Sequence, residues 1–556
     1  MDHMRKKLLF CCLFLFCAFF CKAQLMTAKK SFSRADTLRG ALSALRDCYD
    51  INYYHLDIKV DIDQKFISGS NEFSFTATRD FDKLQFDLFS YLKIEKIIYQ
   101  NAEIPYKREF NAVFINFPVK IKGGTKHRFT VFYSGNPVIA INPPWDGGFI
   151  FKKDKSGNPW VSVACQGLGA SSWWPNKDHQ SDEVDSMLIS ISAPEGLQNI
   201  SNGRLRSIQK KAEGYSQYNW FVSNPINNYN VSIYIGKYAH WKDNYQGEKG
   251  QLDLDYWSLK EDSARARPHW DADVKPMLKS FEHWFGPYPF YEDSYKLVQA
   301  PHLGMEHQSA VAYGNQFKMG YLGGDLSSSG WGLKFDFITI HESGHEWFGN
   351  NITTKDVADM WVHEGFTSYS ETLFTESEHG KAAANSYVSG IRKNIKNDIP
   401  IIGPYNVNKE GSGDMYYKGA NLIHLIRQLI DDDAKFRNIL RGLNKTFYHQ
   451  TVTTQQIEGY IAQQSGLKLA KVFDQYLRHK DIPTFQYRIS GGELTYRWVA
   501  DVTDFDMPLK VTLKSDVFSF IYPSSSWKTI SLDNSITAKN FKPDPNFYIH
   551  VKEDSK

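Results

Sequence analysis

The hydrophobic periodicity of the chain changes twice, and these changes limit the possible folds more than any single residue does. From Tyr54 to about residue 250, apolar and polar residues alternate, with interruptions at Gly, Asn and Pro. Between about 261 and 480 the apolar spacing is mostly helical, and alternation returns after Pro483. Alternation predicts strands with one solvated face, whereas spacings of three and four predict helices. The sequence therefore predicts a multidomain α+β protein that begins with an antiparallel β domain.

The length of 556 residues is too great for a single hydrophobic core, so several domains are expected. The composition, 42% apolar and 23% charged, is that of a soluble globular chain. The changes of pattern predict these segments: 1–23, a signal peptide; 24–47, a leader with little structure; 48–255, an N-terminal β domain; 256–482, a mainly helical domain; 483–556, a small C-terminal β-sandwich.

The first 23 residues have the pattern of an export signal. Basic residues 5–7 precede the apolar run Leu8 to Phe20, and Cys21-Lys22-Ala23 offers a small-x-small cleavage site. A membrane anchor or a lipid-modified Cys21 is the alternative, but Phe20 is large for a lipidation site. We therefore expect a periplasmic or secreted protein with no membrane span after signal removal.

Removal of this segment changes the charge and the cysteine count. The formal charge of +3 arises there, so the remaining chain is near neutral and no nucleic-acid partner is implied. Four of the six cysteines also lie there, which leaves Cys48 and Cys165. These two could pair in an oxidising compartment or stay as free buried thiols, and the sequence leaves both possibilities open.

A pair of histidines four residues apart, His341 and His345, follows the apolar run Phe335 to Ile340. On a helix, positions i and i+4 share a face, so both imidazoles can bind one ion beside Glu342. Zinc suits such a set because it accepts nitrogen and oxygen ligands in a tetrahedron and can leave one position for water. A helix with two surface histidines is the alternative interpretation.

A third ligand is available at the start of the next helical segment. Glu364, nineteen residues after His345, completes a set of two histidines and one glutamate, the ligand type of hydrolytic zinc sites. Taken alone, Glu364 could be a solvated carboxylate at a helix start. Glu371, seven residues later on the same helix face, either orients a ligand histidine or lies on the surface.

Further motifs accompany this pattern in order along the chain. They are Gln166 followed by Trp174-Pro175-Asn176-Lys177-Asp178, then Gly304-Met305-Glu306-His307, and finally Tyr416-Tyr417-Lys418-Gly419. From about residue 50 to 482 the chain thereby resembles the M1 family of zinc aminopeptidases, within the gluzincins. The motif Gly304-Met305-Glu306-His307 is similar to the family's Gly-x-Met-Glu-Asn exopeptidase motif, and Tyr416-Tyr417-Lys418-Gly419 is similar to its Tyr-x-Lys-Gly motif.

This resemblance implies a thermolysin-like catalytic domain that binds one Zn²⁺ per chain. It implies the following roles: zinc ligands His341, His345 and Glu364; catalytic residues Glu342, as general base, and Tyr416, as transition-state donor; substrate-binding residues Gln166, Gly304, Met305 and Glu306. Without the resemblance, Tyr416 could be a core tyrosine and Gln166 a surface glutamine.

The sequence also departs from the family pattern. His307 replaces the usual Asn, which puts local substrate contacts in doubt, and Ser172 stands where an Arg is common. The large helical domain that closes the cleft in many members has no counterpart in the β-patterned residues after Pro483. The cleft is therefore expected to be open or covered by a partner subunit.

The expected function is zinc-dependent removal of N-terminal residues from peptides that have a free N-terminus. A zinc endopeptidase is the first alternative, because its metal site would look the same and only the Gly304–Glu306 stretch argues for exopeptidase chemistry. A non-catalytic peptide-binding relative is the second, although such a protein would typically lack Glu342 or a ligand. Hydrolysis of a non-peptide bond is a more distant third.

Overall fold

The structure is a computed structural model that describes residues 31–515 and 517–554. The predicted signal peptide and residues 24–30 of the predicted leader lie outside the described residues. In the described part of the chain, no helix has the length and apolar character needed to cross a bilayer.

The N-terminal region consists of fifteen strands in three sheets. The strands are β1 (Tyr49–Asp61), β2 (Phe66–Ala77), β3 (Phe81–Asp87), β4 (Lys93–Tyr99), β5 (Ala102–Glu103), β6 (Tyr106–Glu109), β7 (Ala112–Ile121), β8 (Lys126–Gly135), β9 (Gly148–Lys153), β10 (Pro159–Ala164), β11 (Ser186–Pro194), β12 (Gln198–Ile200), β13 (Arg204–Lys211), β14 (Tyr215–Val222) and β15 (Tyr234–Gly236). The sheet orders are β13-β14-β11-β1-β2-β8-β4-β5, β3-β7-β6 and β12-β15-β10-β9.

The strand pairs within these three sheets are antiparallel except one. Strand β1 pairs in parallel with β11, with Leu56 opposite Ile189. The prediction of an antiparallel domain was wrong for this pair, because alternation shows which face a side chain occupies but not the direction of the neighbouring strand. Along β1 the buried residues alternate with half-exposed ones, as the sequence predicted.

The second region extends from β16 to α9 and is here called the catalytic region, after the role that the resemblance implies. It begins with a five-stranded sheet. Its strands are β16 (Tyr238–Gly247), β17 (Gly250–Leu259), β18 (Tyr295–Gln299), β19 (Gly304–Met305) and β20 (Val311–Tyr313), in the order β16-β17-β18-β20-β19. Because β17 pairs in parallel with β18, the predicted domain boundary at residue 255 falls inside this sheet and was wrong. The alternating pattern of β16 and β17 predicted strands correctly but carried no information about which sheet they join.

Eight helices and one small parallel strand pair complete the catalytic region. They are α2 (Ser263–Phe285), α3 (Phe337–Gly344), β21 (Ile352–Thr354), α4 (Trp361–His379), α5 (Lys381–Gly390), α6 (Tyr417–Ile430), α7 (Asp433–Thr446), β22 (Gln450–Val452), α8 (Thr454–Ser465) and α9 (Ala470–Phe473). The core of this region is formed by α2, α3, α4 and α6 around large side chains such as Trp270, Trp347 and Trp361.

The C-terminal residues form two small sheets. Strands β23 (Thr484–Ser490), β24 (Glu493–Val499), β27 (Lys528–Ser531) and β28 (His550–Glu553) pair in the order β27-β24-β23-β28, whereas β25 (Leu509–Lys514) pairs with β26 (Val517–Ile521). Buried residues of both sheets belong to the same hydrophobic cluster as the helices. The module therefore packs directly on the catalytic region.

The prediction of little structure in residues 24–47 was wrong for the described part. Helix α1 (Arg34–Gly40) begins with a capping box between Ser33 and Asp36. Leu38 packs with Ala112 and Phe114 of the β domain. The polar and basic composition hid this short helix, because its stability depends on distant partners rather than on its own pattern.

Cys48 and Cys165 are both free and buried. Burial raises the pKa of the Cys48 thiol to about 11 and that of Cys165 to about 12. Both thiols therefore stay protonated at neutral pH, which favours the second of the two possibilities that the sequence left open.

Candidate active site

Helix α3 carries the histidine pair and is fixed at its N-terminus by Asp336. The carboxylate of Asp336 accepts hydrogen bonds from the backbone N–H groups of Ile338 (3.0 Å) and Thr339 (3.2 Å). The phenol of Tyr313 also donates to it, at 2.6 Å. This cap satisfies donors that a helix start leaves unpaired, and it links α3 to strand β20.

Helix α4 lies close against α3 and brings Glu364 to the histidines. Gly344 makes this approach possible, since a Cβ there would lie 2.6 Å from Oγ of Ser370 on α4. On its other side, α4 meets α6 through two glycines. A Cβ on Gly419 would lie 2.9 Å from the Cα of Gly365, so both positions need a residue without a side chain.

The three predicted zinc ligands come together as one buried group. The ligand atoms of His341, His345 and Glu364 all lie within 4.8 Å of one another. Oε2 of Glu364 is 3.4 Å from Nε2 of His345 and 3.7 Å from Nε2 of His341. Two ligands about 2.0–2.1 Å from a tetrahedral zinc ion are roughly 3.3 Å apart, so this separation fits zinc.

The hydrogen bonds around this group leave the ligand atoms available for a metal. The Nδ1 atom of His345 bonds to the carbonyl oxygen of Phe348 at 3.0 Å, and Nδ1 of His341 bonds to Glu371 at 2.7 Å. Both Nε2 atoms therefore face the group. Oε2 of Glu364 is buried and has no hydrogen-bond partner among the described residues. A buried carboxylate oxygen without a donor is costly, and a cation at this position removes that cost.

Glu342 and Glu306 both lie beside His345. The ligand atoms of Glu306, Glu342 and His345 form a second buried group, again within 4.8 Å of one another. Gly304 of β19 runs directly beside Glu342, and a Cβ there would collide with the carboxylate. Burial raises the pKa of Glu342, with the nearby Glu306 and Glu364 adding to the increase.

The N-terminal β domain holds the carboxylate of Glu306 in place. Gln166 donates from Nε2 to Oε1 of Glu306 at 2.6 Å, and the phenol of Tyr229 donates to the same oxygen at 3.1 Å. Asn350 donates to the backbone carbonyl of Glu306 at 2.9 Å, and Asn230 in turn donates to Asn350 at 2.8 Å. Sequence reasoning missed Tyr229, because the segment around it carries no motif and only asparagines precede and follow it.

The residues that depart from the family pattern lie outside the group of His341, His345 and Glu364, here called the metal group. The ring of His307 is fully buried, and its Nδ1 bonds to the phenol of Tyr234 at 2.5 Å. The histidine that replaces the family's usual Asn therefore faces the β domain. Met305, its neighbour in β19, is also buried. Ser172 is buried and donates to the carbonyl of Gly169 at 2.7 Å.

Tyr416 lies at the N-terminus of α6, beside the metal group. Its ring centroid is 6.0 Å from that of His341, with an interplanar angle of 24°. Burial raises the pKa of Tyr416 well above its ordinary value, and the carboxylates of Glu364, Glu410, Glu306 and Glu342 raise it further. The phenol therefore keeps its proton at neutral pH and can donate a hydrogen bond.

Comparisons with known proteins bear on the family of this chain. Residues 271–476 match the model of the peptidase family M1 domain. "Probable aminopeptidase 2" of Sulfurisphaera tokodaii is 20% identical over 419 residues, which cover 72% of this chain and 51% of that protein. Leukotriene A-4 hydrolase of Xenopus laevis is 22% identical over 442 residues, covering 74% of this chain and 68% of that protein. The chain thus spans about half the length of the first of these relatives.

A solved structure shows the same fold. A mutant of an M1 zinc metallopeptidase from Deinococcus radiodurans, crystallised with a Tyr-Ser-Ala substrate, superposes with a TM-score of 0.65. The two chains share 18% identity, and the match covers 79% of this chain and 96% of that one.

Proposed function

Because this chain belongs, through its residues 271–476, to the M1 family of zinc metallopeptidases, we propose that it is an aminopeptidase. It hydrolyses the peptide bond that follows the first residue of a peptide with a free N-terminus. The observation that carries this proposal is the position of Glu306, whose carboxylate lies in one group with Glu342 and His345.

Glu306 is suited to bind the ammonium group of a substrate. Its oxygen Oε1 receives the two donors from Gln166 and Tyr229, which fixes the plane of the carboxylate. We assign the second oxygen, Oε2, to the substrate ammonium. A free α-amine is largely protonated near neutral pH, and a cation in a buried cleft needs an anionic partner.

His341, His345 and Glu364 hold the zinc ion. An ion bound there would polarise the scissile carbonyl as a Lewis acid and would lower the pKa of a water to about 7. Glu342 takes the proton of the attacking water and passes it to the leaving amine, as a general base and then a general acid.

Tyr416 donates its phenolic hydrogen to the oxygen that becomes negatively charged as the carbonyl is attacked. One donor aimed at such an oxygen stabilises the transition state by about 3 kcal/mol. The ring of Tyr416, which lies 6.0 Å from that of His341 between centroids, supports this role.

The same arrangement bears on the two alternatives that the sequence left open. An endopeptidase would need space for peptide residues beyond the position of Glu306, whereas two side chains from the β domain occupy that side. A non-catalytic relative would have no need of Glu342, which is present and buried beside the ligands. Export and the identity of natural substrates stay predictions.

The purified protein, assayed with aminoacyl fluorogenic amides and their N-acetylated counterparts, tests this function. We expect the free amides to be cleaved much faster than the acetylated ones, activity to be lost with a zinc chelator, and activity to recover when zinc is added back. Full activity of the metal-free protein would contradict zinc dependence. Equal cleavage of acetylated substrates at internal bonds would favour the endopeptidase.

A further inference from the structure

Residues 33–47, here called the N-terminal strap, lie beside the active site and link two of its loops. The strap consists of helix α1 and the turn that follows it. It belongs to neither motif-bearing region, and no role was predicted for it from the sequence.

Buried contacts fix the strap to the β domain. The side chain of Arg46 is fully buried and forms an ion pair with the buried Asp87. Gln85 donates to the backbone carbonyl of Leu38 at 2.9 Å, and Leu38 itself is buried. Breaking a buried ion pair is strongly destabilising, so the strap has a defined position.

The first active-site loop that the strap contacts is the one that carries Gln166. The guanidinium of Arg39 donates to the carbonyl of Gly167 at 3.2 Å. It also lies against Gly169, where a Cβ would collide with both Arg39 and Asp178. Arg39 therefore supports the loop from which Gln166 reaches Glu306.

The second contact is with the loop that leads to Tyr416. Gly40 packs directly on the backbone of Val407 and Asn408, and any Cβ at residue 40 would overlap both residues. From the other side, a ring nitrogen of His179 lies 3.2 Å from the carbonyl oxygen of Gly40. The strap is thus held between a loop of the β domain and a loop of the catalytic region.

Little space remains between these elements. A cavity lined by Gly40, Gln166, Tyr229 and Asn408, among others, has a volume of about 20 Å³. That volume accommodates a water molecule, for which roughly 10–15 Å³ is enough, but not an amino-acid residue. The cavity touches the two side chains that hold Glu306 and none of the three zinc-ligand side chains, so it lies on the far side of Glu306.

We propose that the N-terminal strap closes the cleft beyond Glu306, so that only one substrate residue fits on the N-terminal side of the scissile bond. Arg39 and Gly40 are then specificity-determining residues, although neither touches the reacting atoms. This role rests on the proposed aminopeptidase function, and it supplies a closure for the cleft from within the same chain.

Replacing Arg39 by Ala tests the proposal, with Arg34→Ala as the matched control. Arg34 lies on the same helix but pairs with Glu109 on the surface, away from the Gln166 loop. The readouts are kcat/KM for aminoacyl amides and their N-acetylated forms, and mass spectrometry of the products released from a decapeptide.

For Arg39→Ala we expect the preference for a free amine to fall by at least about tenfold, chiefly because kcat/KM for the acetylated substrate rises. We also expect this variant to release dipeptides from the decapeptide. Arg34→Ala should behave as the unmodified protein. Gly40→Leu, which forces the strap away from Asn408, should give the same change. It provides a second test of the proposal if Arg39→Ala does not fold.

The outcomes separate this proposal from the one on which it rests. Unmodified protein that releases dipeptides from the decapeptide would overturn the closure. So would folded Arg39→Ala and Gly40→Leu variants that keep the full preference and release only single residues. Unmodified protein with no preference for a free amine would instead overturn the aminopeptidase assignment.

Discussion

The imidazole of His341 is hydrogen-bonded through Nδ1 to Oε1 of Glu371, at 2.7 Å. The other oxygen of Glu371 accepts from the phenol of Tyr387 at 2.5 Å. Because Glu371 is buried and held by two donors, it fixes both the tautomer and the ring orientation of His341. Nε2 is thereby directed at Oε2 of Glu364, which lies 3.7 Å away. Of the two roles that the sequence allowed for Glu371, this geometry favours the orienting one.

Glu371→Gln is therefore expected to weaken zinc binding by roughly 10- to 100-fold, since a neutral amide supports the histidine less well than a carboxylate does. The measurement is competition for zinc against a chelator of known affinity. Glu378→Gln is the matched control, because Glu378 lies on the same helix but is exposed. Equal zinc affinity of the Glu371 variant and the unmodified protein would contradict the orienting role.

Glu342→Gln should remove the general base and leave the metal site intact. We expect kcat to fall by at least about two orders of magnitude, because positioned acid–base catalysis contributes 10²–10⁴. Zinc content, measured on the same preparation by atomic absorption, should stay at one ion per chain. Near-normal turnover with zinc bound would show that another group takes the proton.

Tyr416→Phe should lower kcat much more than it changes KM, since the phenol bonds to charge that develops only in the transition state. The expected loss is about 10²–10³ in kcat, the range for one removed oxyanion donor. Tyr417→Phe is a suitable control, because the next helical position points about 100° away around the axis. A variant at Tyr416 that changes only KM would assign the phenol to substrate binding.

The local part of the site could be predicted from the sequence, because a helix fixes the relation between nearby residues. His341 and His345 are four residues apart, and Glu364 and Glu371 are seven apart, so each pair lies on one helix face. The pairing of α3 with α4 was not predictable from spacing alone. It depends on close approach at Gly344, which is visible only once the helices are packed.

Contacts between distant segments were beyond sequence reasoning. Tyr229 reaches Glu306 across 77 positions of the chain, and no spacing rule connects them. The same limit explains why the predicted domain boundary at residue 255 was wrong. Strand β17 has an ordinary strand pattern, and its parallel partner β18 follows only after a long helix. The N-terminal strap is the clearest case, because its composition is that of a flexible segment and its order depends on Arg46 and Asp87.

The position of Glu306 leads to the prediction that most directly separates an aminopeptidase from an endopeptidase. If Glu306 binds the substrate ammonium, Glu306→Ala should cost about 2–5 kcal/mol in kcat/KM for free-amine substrates, the range for breaking a buried charge pair. Acetylated substrates carry no such charge, so their slow cleavage should change little and the preference for a free amine should largely disappear. The measurement is the ratio of kcat/KM for matched free and acetylated amides in both proteins. If Glu306 only holds a structural ion pair, the variant would instead lose stability and slow both substrates equally, which a thermal melt recorded on the same samples would reveal.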